Sequence, residues 1–104
     1  MAEILTDTNF SEKTGKGKVV VDFFAEWCGP CQLLKPVFEK LSKENPDVQF
    51  YKLDVDENNE TAEKFGVRSI PTVIFLDNGS EADRVMGFQN EESLKQKMKS
   101  VFKQ

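Results

Sequence analysis

The sequence predicts an α/β fold, a mixed β-sheet with helices on both faces. Three observations carry that reading. Lys18–Phe24 (Lys-Val-Val-Val-Asp-Phe-Phe) is β-branched or aromatic on both alternating faces, as a strand covered on both sides must be. Strand and helix patterns alternate from there to residue 76, which calls for crossover connections between parallel neighbours. Asp77-Asn78-Gly79-Ser80 is a hairpin signal instead, and it pairs its flanking strands antiparallel.

Each element has its own signal. Ile4 and Leu5 suit a short edge strand, and Asn9-Phe10-Ser11-Glu12 resembles a capping box opening a helix that Gly15 and Gly17 soon end. From Pro30 to about Glu44 the period is helical, with Leu33, Leu34, Val37, Phe38 and Leu41 as one apolar stripe. Pro36 lies inside it and is expected to kink that helix. After the turn Asn45-Pro46-Asp47, Val48–Val55 reads as a second central strand. Asn59–Phe65 is a short helix closed by Gly66, and Thr72–Leu76 and a stretch near Ala82–Val85 are the hairpin strands. Asn90 caps a last helix, in which Leu94, Met98, Val101 and Phe102 recur at helical spacing.

The 104 residues form one expected domain, 1–104, because no repeat, low-complexity tract or flexible linker interrupts them. A chain this long buries roughly 65% of its unfolded surface, enough for a core without disulfides or a metal. Fourteen Lys and Arg against eighteen Asp and Glu give a net charge of −4, which argues against a nucleic-acid partner. No apolar run approaches the ~20 residues of a membrane span. Residues 1–10 lack a basic start and an apolar stretch, so a cytoplasmic protein is expected. With no histidine, a Ser-His-Asp triad, a Cys-His pair and His-ligated metals are excluded. Two cysteines are too few for a four-cysteine zinc site or a Cys-ligated iron–sulfur cluster. Asp54-x-Asp56-x-Asn58 begins like a calcium loop, but Asn59 and Phe65 stand where that loop needs Gly and Glu.

Chemistry concentrates at Trp27-Cys28-Gly29-Pro30-Cys31, between a buried strand and a helix. A Cys-x-x-Cys there, with no further ligands, reads as a redox dithiol. As a structural staple it would be poor, since so short a loop restricts the unfolded chain by only about 2 kcal/mol, against ~3 for fifteen residues. Cys28 sits just ahead of the helix, where unpaired N–H groups and the dipole favour a thiolate. Cys31 falls inside the first turn and should be less accessible, so Cys28 attacks and Cys31 resolves. Pro30 presets the first turn, and Gly29 lets another chain approach. Asp22 interrupts an apolar strand face between Val20 and Phe24. Desolvation there raises its pKa and makes it a candidate acceptor for the Cys31 proton, through water; the alternative is a strand-end Asp reaching solvent.

Ala25-Glu26-Trp27-Cys28-Gly29-Pro30-Cys31, with Val21-Asp22-Phe23 before it and Ile70-Pro71-Thr72 and Asn78-Gly79 after it, resembles the thioredoxin family over essentially the whole chain. The resemblance implies a five-stranded mixed sheet flanked by four helices. It also implies reduction of protein disulfides by the Cys28–Cys31 pair, with no bound cofactor and with electrons from a thioredoxin reductase. Its substrates by resemblance include peroxiredoxins, methionine sulfoxide reductase and ribonucleotide reductase. Asp22 matches the family's buried aspartate. Lys52 aligns with the lysine beside it, although a plain surface lysine fits the sequence as well. Pro71 matches a cis-proline held against the disulfide, and Gly87 a glycine of the docking surface, its alternative being a simple turn. Trp27, Gly29, Pro30, Ile70, Pro71 and Gly87 would then form a small apolar patch for transient protein partners. Two positions depart from the family. Phe24 stands where many members carry tryptophan, and Gln32 where a basic residue is common, a change that should slightly weaken thiolate stabilisation.

Three functions compete at this stage. The leading one is a monomeric thiol–disulfide oxidoreductase that reduces proteins. An oxidase or isomerase domain is disfavoured by the Gly-Pro dipeptide and the absence of a secretory signal. A non-catalytic binding subunit would use the same patch and survive loss of both cysteines.

Overall fold

The computed structural model describes residues 2–103. Its elements follow the expected order: β1 (Glu3–Leu5), α1 (Phe10–Thr14), β2 (Lys18–Phe24), α2 (Gly29–Glu44), β3 (Gln49–Asp54), α3 (Asn59–Lys64), β4 (Thr72–Asp77), β5 (Ser80–Met86) and α4 (Glu91–Phe102). One five-stranded sheet runs β1-β3-β2-β4-β5. β3 is parallel to β1 and β2, whereas β4 runs antiparallel to both β2 and β5. This is the mixed sheet that the alternation and the hairpin signal predict.

Side-chain alternation along β2 builds two cores. Val19, Val21 and Phe23 join Leu5, Phe10 and Ala62 on the α1/α3 face, and Phe10 lies edge-on to Phe65 at 5.4 Å. Val20 joins Leu34, Phe38, Leu41, Leu94, Met98 and Phe102 on the α2/α4 face. Paired on both edges and covered on both faces, β2 is fixed along its length. Its C-terminal end therefore delivers Ala25 and Cys28 to α2 from a rigid base.

Several local expectations change. The α2 stripe is narrower than its sequence suggests: Leu34, Phe38 and Leu41 are buried, but Leu33 is 65% exposed. At 100° per residue, Leu33 falls outside the arc that meets the sheet. Asn9 precedes α1 without capping it, because its Oδ1 accepts the Thr6 N–H at 2.8 Å instead. β3 stops at Asp54 and α3 at Lys64, while β5 extends over Ser80–Met86 opposite a bulge at Phe75/Leu76. In the hairpin Asn78 and Gly79 both have positive φ (50° and 87°), as a tight primed turn requires. Asn90 caps α4 as expected, accepting the Ser93 N–H at 2.8 Å.

These placements separate two apolar residues of one helix. Phe38→Ala should lose about 3–5 kcal/mol in urea unfolding. Leu33→Ala should stay within roughly 0.5 kcal/mol of the parent. Equal losses would contradict the orientation of α2.

Candidate active site

The dithiol is built by the junction of β2 and α2. The Val55 N–H donates to the Phe24 carbonyl (2.9 Å) and the Cys28 N–H to the Ala25 carbonyl (3.2 Å), which pins the connecting turn. Gln32, at the position lacking a basic residue, donates from Nε2 to the Glu26 carbonyl at 3.2 Å. Cys28 takes the N-cap of α2 in extended conformation, and its Sγ accepts the Cys31 N–H at 3.2 Å. No acidic side chain occupies the first turn of α2. Cys28 and Cys31 are joined as a disulfide with their Cα atoms 5.2 Å apart.

Accessibility does not distinguish the two cysteines in this form, contrary to expectation. They are 3% and 4% exposed. Their surroundings distinguish them instead. Cys28 Sγ lies 3.8 Å from the carbonyl oxygen of Ile70, beside the cis Ile70–Pro71 bond. Cys31 lines a small cleft with Asp22, Phe24, Glu26, Gln32, Lys35 and Lys52. That cleft has room of about 10 Å³, the space of one water.

Asp22 is 1% exposed, and its Oδ1 has no hydrogen-bond partner in the protein. Burial pushes its carboxyl up to about 7, with Lys52 opposing the rise and Glu39 adding to it. The register sets Asp22 opposite Lys52 across the β2–β3 pair. Lys52 is no surface lysine. It is 8% exposed, with its Nζ 5.0 Å from the centroid of the Phe24 ring.

Around the dithiol, Trp27, Gly29 and Pro30 are exposed and Ile70 and Gly87 half-buried, while the Pro71 ring is buried. Pro71 thus lies beneath this surface rather than in it. Its carbonyl accepts the Gly87 N–H at 2.8 Å, and Gly87 sits at φ +85°, where any side chain would be strained. Four contributors escape the sequence reading. Asp56 Oδ2 accepts the Trp27 indole N–H at 2.7 Å, and Asp54 Oδ1 fixes the Asp56 backbone at 2.9 Å. The signal was the Asp54-x-Asp56 spacing, which serves hydrogen bonding rather than calcium. Met86 and Phe88 flank Gly87 and are 64% and 44% exposed, enlarging the apolar surface; two large apolar residues around a turn glycine were their cue. Among the described residues no cluster of three or more potential ligands could hold a metal ion, and no helix is long and apolar enough to cross a membrane.

A cysteine pair seated on a helix N-terminus, beside a cis-proline loop and with a buried carboxylate behind it, can once reduced exchange with another disulfide and manage one proton. Comparison with known proteins points to the same chemistry. The thioredoxin family model matches residues 1–100. A thioredoxin of Chlamydia muridarum is 48% identical over 94 residues, covering 90% of this chain and 92% of that one. A thioredoxin of Bacillus subtilis is 47% identical over 92 residues, 88% of each chain. The solved structure of a Malassezia sympodialis thioredoxin superposes with a TM-score of 0.89 at 37% identity, over 97% of this chain and 90% of that one. With that site and those relatives, the chain belongs to the thioredoxin family and is a thiol–disulfide oxidoreductase whose redox group is the Cys28–Cys31 pair.

Proposed function

We propose that the chain works as a cytoplasmic, monomeric reductant of protein disulfides, with Cys28 attacking, Cys31 resolving and Asp22 accepting the proton of Cys31. One observation carries this reading: the Cys28 sulfur caps α2 while Cys31 faces the cleft of Asp22. In the reduced chain the helix N–H groups favour a Cys28 thiolate. It attacks one sulfur of a substrate disulfide and releases the other as a thiolate, leaving a mixed disulfide. Cys31 passes its proton to Asp22 and attacks Cys28 Sγ. The second substrate sulfur leaves, and the intramolecular disulfide forms. The chain gives the substrate two electrons, and the two substrate thiolates take up two protons, one equivalent to that released by Cys31 and one from solvent.

A reductase then returns two electrons to Cys28–Cys31; a thioredoxin reductase is the partner of this class. Docking is assigned to Trp27, Gly29, Pro30, Ile70, Pro71 and Gly87, with substrate backbone pairing beside Pro71. The family resemblance supports peroxiredoxins, methionine sulfoxide reductase and ribonucleotide reductase as electron acceptors. Lys52 is assigned to the electrostatics of Asp22.

Two experiments test the assignment. In insulin-type reduction with a supplied reductase, both single cysteine variants should be inactive. Cys31→Ser should accumulate mixed disulfides through Cys28, and Cys28→Ser almost none. Equal trapping would overturn the roles, and a parent chain that reduces no insulin yet holds its partner with both cysteines replaced would restore the binding-subunit reading.

Asp22→Asn should slow resolution and stabilise the fold at alkaline pH. The sign follows from linkage. The folded carboxyl keeps its proton up to about 7 and an unfolded one only to 3.8. Between those values the folded state binds more protons, so Asp22 lowers stability as pH rises through the window, and fully above it. A shift of that size corresponds to about 4 kcal/mol, against which an unpartnered amide costs about 1–3. The variant should gain roughly 1–3 kcal/mol above the window and less below it, read by denaturation at several pH values. A variant destabilised at alkaline pH and fully active would show Asp22 to be structural.

A further inference from the structure

The Lys52 ammonium has two competing partners. The strand register puts Lys52 beside Asp22, yet among the described residues Lys52 makes no ion pair. Asp22 Oδ1 meanwhile stays buried and unpartnered. The ammonium instead lies over the Phe24 ring, 5.0 Å from its centroid. Phe24 sits two residues beyond Asp22 on β2 and therefore on the same face. Its ring is buried and packs in one cluster with Ala25, Cys28 and Cys31. Cation–π attraction strengthens once water is excluded, so it can compete with a desolvated carboxylate for the ammonium.

We propose that Phe24 is a positioning residue: its ring face holds the Lys52 ammonium short of the Asp22 carboxylate, which stays unpaired and able to take the Cys31 proton. This rests on the reading of Asp22 as the proton acceptor. A carboxylate closed onto an ammonium is a weaker base, so an ion pair here would defeat the transfer. Lys52 faces Asp22 from β3 and favours its charged form, while Glu39 disfavours it from α2. Glu26, from the turn after β2, and Lys35, from α2, line the remaining walls of the cleft. Of these groups only Lys52 has an aromatic face beneath it.

The test is the titration of the Asp22 carboxyl, followed by carbon NMR in the oxidised full chain. Phe24→Leu removes the π-face and keeps an apolar side chain. Lys52 is then free to close on Asp22, and the midpoint should fall by roughly one pH unit, about tenfold in proton affinity. Phe24→Trp, which retains a face, should titrate like the parent. In a Lys52→Met background, Phe24→Leu should leave the midpoint where Lys52→Met alone puts it. Phe24→Met substitutes for Phe24→Leu with the same expectation if the latter does not fold. An unchanged midpoint in Phe24→Leu overturns the proposal. So does an equal fall with and without Lys52, because the ring would then act only by excluding water. The pH profile of mixed-disulfide resolution is read in parallel. A lowered midpoint with an unmoved profile would support the hold on Lys52 and remove Asp22 from the proton's path, which separates the two failures.

Discussion

The Cys28 sulfur occupies the N-cap of α2, and most of the site's behaviour depends on that placement. An ordinary N-cap oxygen satisfies a donor that the helix leaves open; here the Cys31 N–H meets a sulfur at 3.2 Å. Reduced, that sulfur faces open N–H groups and the positive end of the dipole. In the proposed mechanism this stabilises the thiolate, the form that attacks. The placement holds only because β2 is rigid up to the preceding turn, with Phe23 and Ala25 fully buried. Gln32 supplies no charge, so the backbone of α2 carries the stabilisation.

Against this stands a deliberate weakness. A carboxylate in the interior of β2 is unfavourable, and burial holds Asp22 near 7 at the expense of stability above that pH. An apolar residue would make a better core. In the proposed mechanism the carboxylate is a proton acceptor behind Cys31, with space for one water between the elements that hold them. Stability and turnover therefore pull in opposite directions at one residue, which is common where function requires a strained group.

The sheet was legible because its signals are local. Lys18–Phe24 announces double coverage, Asn78-Gly79 a primed hairpin, and Asn90 a cap that the structure contains. Cys28 and Cys31 were legible through spacing, and Asp22 because a lone carboxylate breaks an apolar row. What failed to show needed the third dimension. Leu33 matches the apolar alphabet but points outside the arc that meets the sheet. Lys52 fits a surface lysine as well as a neighbour of Asp22 until the register sets it against Asp22 and the Phe24 ring. Asp56 meets Trp27 across 29 positions, a pairing that no local pattern encodes. Asn9 had two acceptable partners, and sequence alone cannot rank Thr6 against the helix.

The central claim is that the start of α2 stabilises the Cys28 thiolate, and it is tested most directly by titrating that thiol. In reduced Cys31→Ser chain the ultraviolet absorbance of the thiolate follows Cys28 alone. The account predicts a midpoint clearly below the ~8.5 of a free thiol, and below that of Cys31 measured in Cys28→Ser. A Cys28 midpoint at or above the free value would contradict it.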